Sequence, residues 1–303
     1  QGGTYNFAGG PGISVGGSTP NFEMRAGRYA FTDGASISIG GSAPNNVLGA
    51  GSGGPADSIF YFSGGGGLTL GGSNNVTLSP GTYIFNGGAG LSFSGSSFLQ
   101  FTPGEYVFWF NNADFAFSGS SVIRCKSAAG VVGPCAENSG VHVKMYFYNG
   151  ADLKMSGSTS FSIPSGEYYF NNGNFENSGS TWISGENVFL YFKGSGHLES
   201  TGSASFGFTA PETEVYPGYY PGIFMYADRA NTSTFKWNGT TSAVSRGAIY
   251  LPSAPLQMGG ASNGKVLEGQ IIADRISLGG SNNTEVEYRD YVPTSLPQVF
   301  LVE

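Results

Sequence analysis

Few residues in this sequence are of types that catalyse or ligate, and their spacing limits what they can do. Asp33, Asp114 and Asp152 recur close to Asn-rich turns. Asp114 and Asp152 facing each other across neighbouring units would have the oxygen chemistry of a calcium site. The glycine-aspartate repeat of calcium-binding solenoids is absent, however, so solvation of a corner is the expected role. His142 and His197 stand alone in alternating segments and read as ordinary surface or inward residues. Asp228-Arg229 and Asp274-Arg275 each follow an apolar run and are expected to form structural ion pairs between units. Polysaccharide lyases and hydrolases need clustered carboxylates, or carboxylates with Lys or Arg, on one face; here the acids are scattered. No Ser-His-Asp order, P-loop or HExxH occurs. The expectation is a protein with no catalytic residue, metal or cofactor. Cys125 and Cys135, ten apart within one insertion, predict a local disulfide pinning that loop, with two free thiols as the alternative.

The elements around these residues are short and repetitive. In Gly67 to Phe93 the runs Leu68/Leu70, Val76/Leu78 and Tyr83/Phe85 alternate with period 2, broken by Gly-Gly-Ser, Ser-Pro-Gly and Asn-Gly-Gly, before Leu91/Phe93 restart the cycle. A Gly-Ser mark recurs from Gly17-Ser18 through Gly202-Ser203 at intervals of 24, 31, 23, 24, 38, 22 and 23 residues, and again at Gly280-Ser281. Such a unit cannot bury an apolar face alone, whereas stacked units can. The sequence predicts an all-β, single-stranded parallel β-solenoid (β-helix) of about 11 coils of 22–24 residues. At the usual strand spacing it would be a rod roughly 50 Å long. An antiparallel sandwich or propeller is the rival reading. Asn86, Asn111, Asn149 and Asn171 share the period and are expected to form an amide ladder at one corner.

Composition supports a packed but unusual protein. Its 303 residues include 51 Gly, yet 39% are hydrophobic and 15% aromatic, enough for a core. Only 11% are charged and the net charge is -7 without a basic cluster, which argues against nucleic acid and anionic lipid as partners. No run of 18 apolar residues predicts a transmembrane helix. A first residue other than Met, the paired cysteines and the low charge point to a processed, exported chain at the cell surface or outside it.

The solenoid is expected over 1–290, with inserted loops near 43–57, 125–140 and 209–221. The last of these contains Tyr216, Tyr219 and Tyr220, which either cap the core or form a contact surface. The segment 291–303 reads as a linker followed by the apolar strand Val299-Phe300-Leu301-Val302, which would cap the last coil or complete a neighbouring subunit. Four N-x-Ser/Thr sequons stand at Asn75, Asn231, Asn238 and Asn282.

Gly222-Ile223-Phe224, Asp228-Arg229, the GAIYLPSAPL strand and turn (Gly247 to Leu256), GQIIA (Gly269 to Ala273) and the upstream LSPGTYIF and IPSGEYYF together resemble bacterial TadG-like and related pilus-assembly β-helix proteins, mainly over 67–288. The resemblance implies a bacterial envelope or extracellular role tied to surface appendages, and supplies no catalytic residues. It also implies an N-terminal membrane segment, which is not seen in this sequence. The expected function is therefore a non-enzymatic structural or adhesive protein of a surface filament or pilus. It would self-associate head to tail or join other envelope components. The alternatives are a carbohydrate-binding or carbohydrate-degrading β-helix, with a glycan partner, and an ice-binding solenoid. For ice binding, Ser14, Ser38, Thr69 and Ser92 would form the hydroxyl column.

Overall fold

A computed structural model describes residues 3–18, 21–42, 45–136, 139–158, 160–212, 221–238, 243–259, 263–279 and 283–288. Among these every regular element is a strand, and neighbouring coils pair in parallel to give a β-solenoid of about 11 turns. Each coil up to Phe208 contributes a long strand, a three- to five-residue strand and a third strand, and in Ser245–Gly259 and Asn263–Leu278 the first two are fused. Gly81–Asn86, Leu91–Phe93 and Phe98–Phe101 form one such set, here called the long, short and third faces. The third face is split into a six-stranded sheet and a three-stranded sheet.

Alternation places every second side chain inside, and coil-to-coil register turns each inward position into a column. On the long face Phe7, Phe31, Phe62, Phe85, Phe110, Phe147, Phe170 and Phe192 stack with centroids 4.7–5.0 Å apart. The ring separation thus matches the strand spacing, so hydrogen bonding and ring packing are satisfied by one geometry.

Corners follow from backbone chemistry. Between the long and short faces one column is left-handed in coil after coil, occupied by Asp33, Gly64, Gly87, Asn112, Asn149 and Asn172, with φ from 49° to 72°. Those are Gly, Asn and Asp, the residues that tolerate this region. After the short face a glycine column closes the turn. A Cβ added at Gly119 (φ 72°) would stand 2.7 Å from the Gly95 carbonyl oxygen. At the third corner a buried tyrosine ties the bend. Tyr29, Tyr83, Tyr106 and Tyr168 donate their hydroxyls to the carbonyls of Arg25, Ser79, Thr102 and Pro164, four residues back, at 2.7–2.8 Å.

Two segments differ from the sequence reading. Residues 43–57 are not wholly a loop: Asn46–Ala50 is a third-face strand paired with Glu23–Arg25 and Asn75–Leu78, because Leu48 in this Gly-rich stretch supplies a fully buried side chain. The GAIYLPSAPL segment has no separate turn, although it passes from the long face to the short face. Ser245–Gly259 is one 15-residue strand, and a register shift between Leu251 and Pro255 replaces the corner. That irregularity accommodates Pro252, which has no N–H to give to the ladder.

Candidate functional site

The disulfide of Cys125 and Cys135 is formed, and both cysteines are buried. It anchors a hairpin in which Val132–Gly133 pairs antiparallel with Cys125 and Lys126. This hairpin holds the free edge of the six-stranded sheet, which explains why the third face breaks there.

The corner asparagines are not in one register. Strand pairing aligns Asn86 with Asn111, then with Tyr148 and Asn171, while Asn149 occupies the left-handed column beside Asn112. The Asn111 amide still donates to Asn86 Oδ1 at 2.8 Å, and Asn149 reaches across to donate to Asn111 Oδ1 at 2.7 Å. Asn171 instead accepts from its neighbour Asn172 at 3.5 Å. The amide chain therefore joins three coils. Tyr216, Tyr219, Tyr220 and the strand Val299, Phe300, Leu301, Val302 lie outside the described residues.

Asp114 and Asp152 do face each other, but Lys154 Nζ lies between them, 2.7 Å from Asp114 and 3.1 Å from Asp152. Each carboxylate also accepts a backbone N–H of the next coil, from Asp152 and Asn174 respectively. The position suggested for a cation is filled by an ammonium group. Asp33 lies in the left-handed column rather than in line with these two. Among the described residues no group of three or more His, Cys, Asp or Glu is arranged to hold a metal.

The hydroxyl column Ser14, Ser38, Thr69, Ser92 is in register on the outside of the short face, but continues as Ala116, Lys154, Glu176, Glu199 and Lys236. Its second half is thus a charged ladder. Lys236 Nζ is 2.7 Å from Glu199, and His197 Nε2 is 3.6 Å from the same carboxylate. Burial and the neighbouring Asp152 carboxylate raise the Glu176 pKa. His142 Nε2 lies 3.7 Å from Glu167. Asp228 accepts from the Ala230 N–H and the Tyr191 hydroxyl; among the described residues none of Asp228, Arg229, Asp274 and Arg275 forms the expected ion pair between coils.

An outward aromatic column also runs along the rod, unannounced by the sequence pattern. Trp109, Tyr146, Tyr169, Tyr191, Tyr226 and Tyr250 succeed one another on the outer side of the long face, with centroids 4.3–5.8 Å apart. Most are stacked face to face, so neighbouring rings cover each other's faces and the edges point outward. Burial raises the Tyr146 pKa, and burial with the Asp228 carboxylate pushes Tyr191 up to about 12.

Among the described residues, both ends of the rod leave core-column side chains exposed. At one end Tyr5 is 48% exposed although its ring stacks on Tyr29. At the other, Ile276 and Leu278 continue the inward columns of Leu256 and Met258, yet are 46% and 67% exposed.

No known protein family, curated protein or solved structure matches the chain.

Proposed function

We propose that the protein is a non-enzymatic structural or adhesive rod of a bacterial surface filament or pilus, exported from the cell, whose copies stack end to end. The observation that carries this reading is the exposure of core-column residues at both ends. Following each column through the rod, Tyr5 belongs with Ile271, Phe7 with Ala273, Ile13 with Ile276 and Val15 with Leu278. Tyr5, Phe7 and Ile13 in the first coil of a second copy, exposed or half-buried, therefore offer apolar partners for Ile271, Ala273 and Ile276 on the last coil of the first, with buried Val15 below Leu278 in the fourth column. The strand Asn283–Glu287 pairs only with the Asn263 to Glu268 part of the neighbouring strand. Among the described residues, Gln270 to Leu278 keeps an unpaired backbone edge of the kind that templates strand addition. A head-to-tail contact between unlike surfaces generates an open fibre rather than a closed dimer. The motif resemblance to TadG-like proteins and the disulfide support the extracellular setting.

Negative-stain electron microscopy of the unrefolded chain tests the proposal. Filaments are expected for the wild type, and isolated rods for Leu278→Lys and for Tyr5→Lys. Monomeric rods of the wild type, or filaments that persist in both variants, would overturn it.

A further inference from the structure

The hairpin that splits the third face also creates a depression of about 670 Å³ beside it, lined by Arg124, Val132, Pro134, Ser160, Trp182 and Ser184 among others. That volume is within the usual range for ligand sites. We infer that this groove binds an acidic oligosaccharide, with a sugar ring on Trp182 and a uronate carboxylate on Arg124.

Three features favour that ligand. The first is an aromatic platform. Trp182 is 46% exposed and points outward from the strand Trp182–Gly185. Its indole nitrogen is 4.0 Å from where a Cβ would stand at Gly207, so the ring leans over a residue without a side chain. Among the described residues no ring contact covers it, in contrast to the mutually stacked tyrosines of the long face. An uncovered aromatic face suits the C–H side of a pyranose, which is apolar while its rim is polar.

The second is an oriented cation. The Arg124 guanidinium lies 4.2 Å from the Phe98 ring centroid. Stacking holds the planar fork in place for bidentate pairing with a carboxylate. Among the described residues Arg124 forms no ion pair with a carboxylate, although the protein carries a net charge of -7. A single guanidinium fits a uronate better than a polyphosphate, which calls for several cations.

The third is neutral hydrogen-bonding capacity between the two. Ser160 is in register with Trp182, and Ser162 with Ser184. Ser162 donates to the Cys135 carbonyl at 3.1 Å, which joins the disulfide hairpin to the second sheet and fixes the width of the groove. The groove lies across the break between the two sheets, with Arg124 on one wall and the paired strands of Ser160 and Trp182 on the other.

Isothermal titration calorimetry on the whole chain at low salt, with trigalacturonate as probe and maltotriose as neutral control, tests this. Trigalacturonate is expected to bind with Kd of about 1 mM or tighter and maltotriose at least about tenfold more weakly, which is 1.4 kcal/mol. Trp182→Ala and Ser160→Tyr, which fills the groove, should abolish trigalacturonate binding. Arg124→Gln should bring trigalacturonate down to the level of maltotriose. All three positions are on the outer surface, so unchanged melting temperatures are expected. Absence of trigalacturonate binding, equal binding of the two probes, or full affinity in the Trp182 and Arg124 variants would each overturn the inference. The groove is remote from the rod ends, so the result is independent of filament formation.

Discussion

The Tyr83 hydroxyl donates to the Ser79 carbonyl at 2.7 Å from a fully buried position. The same four-residue tie recurs at Tyr29, Tyr106 and Tyr168. It satisfies a carbonyl that the bend removes from the strand ladder, and burial raises the Tyr83 pKa well above its ordinary value. Tyr83→Phe keeps the ring stack but leaves that carbonyl without its partner. A loss of about 1–3 kcal/mol in urea unfolding is expected. An unchanged midpoint would show that the tie contributes nothing.

Gly119 lies in the closing corner with φ 72°, its missing side chain directed at the Gly95 carbonyl. Gly119→Ala should cost about 1–3 kcal/mol from backbone strain alone, with the clash adding to that. Gly133→Ala is the control: a Cβ there meets nothing within 4 Å and φ is not positive, so its melting temperature should stay close to the wild-type value.

The disulfide closes a loop of ten residues' separation. Chain entropy assigns such a loop about 3 kcal/mol. The double change Cys125→Ala, Cys135→Ala should lose roughly that amount. It should also raise hydrogen exchange at Lys126, where the hairpin pairs with the sheet. Equal exchange with and without the disulfide would separate the hairpin's order from the covalent link.

Glu199 is held below its ordinary pKa, first by the hydrogen bond from Lys236 and then by its charge. A carboxylate whose folded pKa is depressed stabilises the fold above its unfolded value of about 4.3, and this contribution is lost as pH falls through the folded value. The melting-temperature difference between the wild type and Lys236→Met should therefore shrink between about pH 6 and about pH 3. A difference constant across that range would contradict the assignment.

The solenoid was legible because two demands repeat through most coils: an apolar residue at the inward positions, as at Leu68, Leu91 and Phe115, broken at buried Asn177 and Ser200, and a glycine at the closing corner. The asparagine register was not. Asn149 and Asn111 look equivalent by their neighbours, yet the order of side chains in Tyr146-Phe147-Tyr148 sets the pairing, and aromatic residues on both sides of the strand conceal which ones face inward. That ambiguity also hid the outer aromatic column. The tyrosine ties had a signal that was not used, a tyrosine two residues after the corner glycine at Tyr29, Tyr83, Tyr106 and Tyr168. The groove on the third face was illegible for a different reason. It arises from the edge that the cysteine hairpin occupies, and interval lengths mark an insertion without saying which strand it displaces.

The phenylalanine column has one further consequence. Each ring meets the ring above and the ring below at nearly the same separation, so no coil has a place in the stack that another could not fill. Removing one uninterrupted circuit of 23 residues, such as Gly72 to Ser94, would bring equivalent residues together and shorten the rod by a single step of about 4.8 Å. The chain is in effect a molecular ruler, and gene duplication or loss of one circuit would reset its length without redesign of the core.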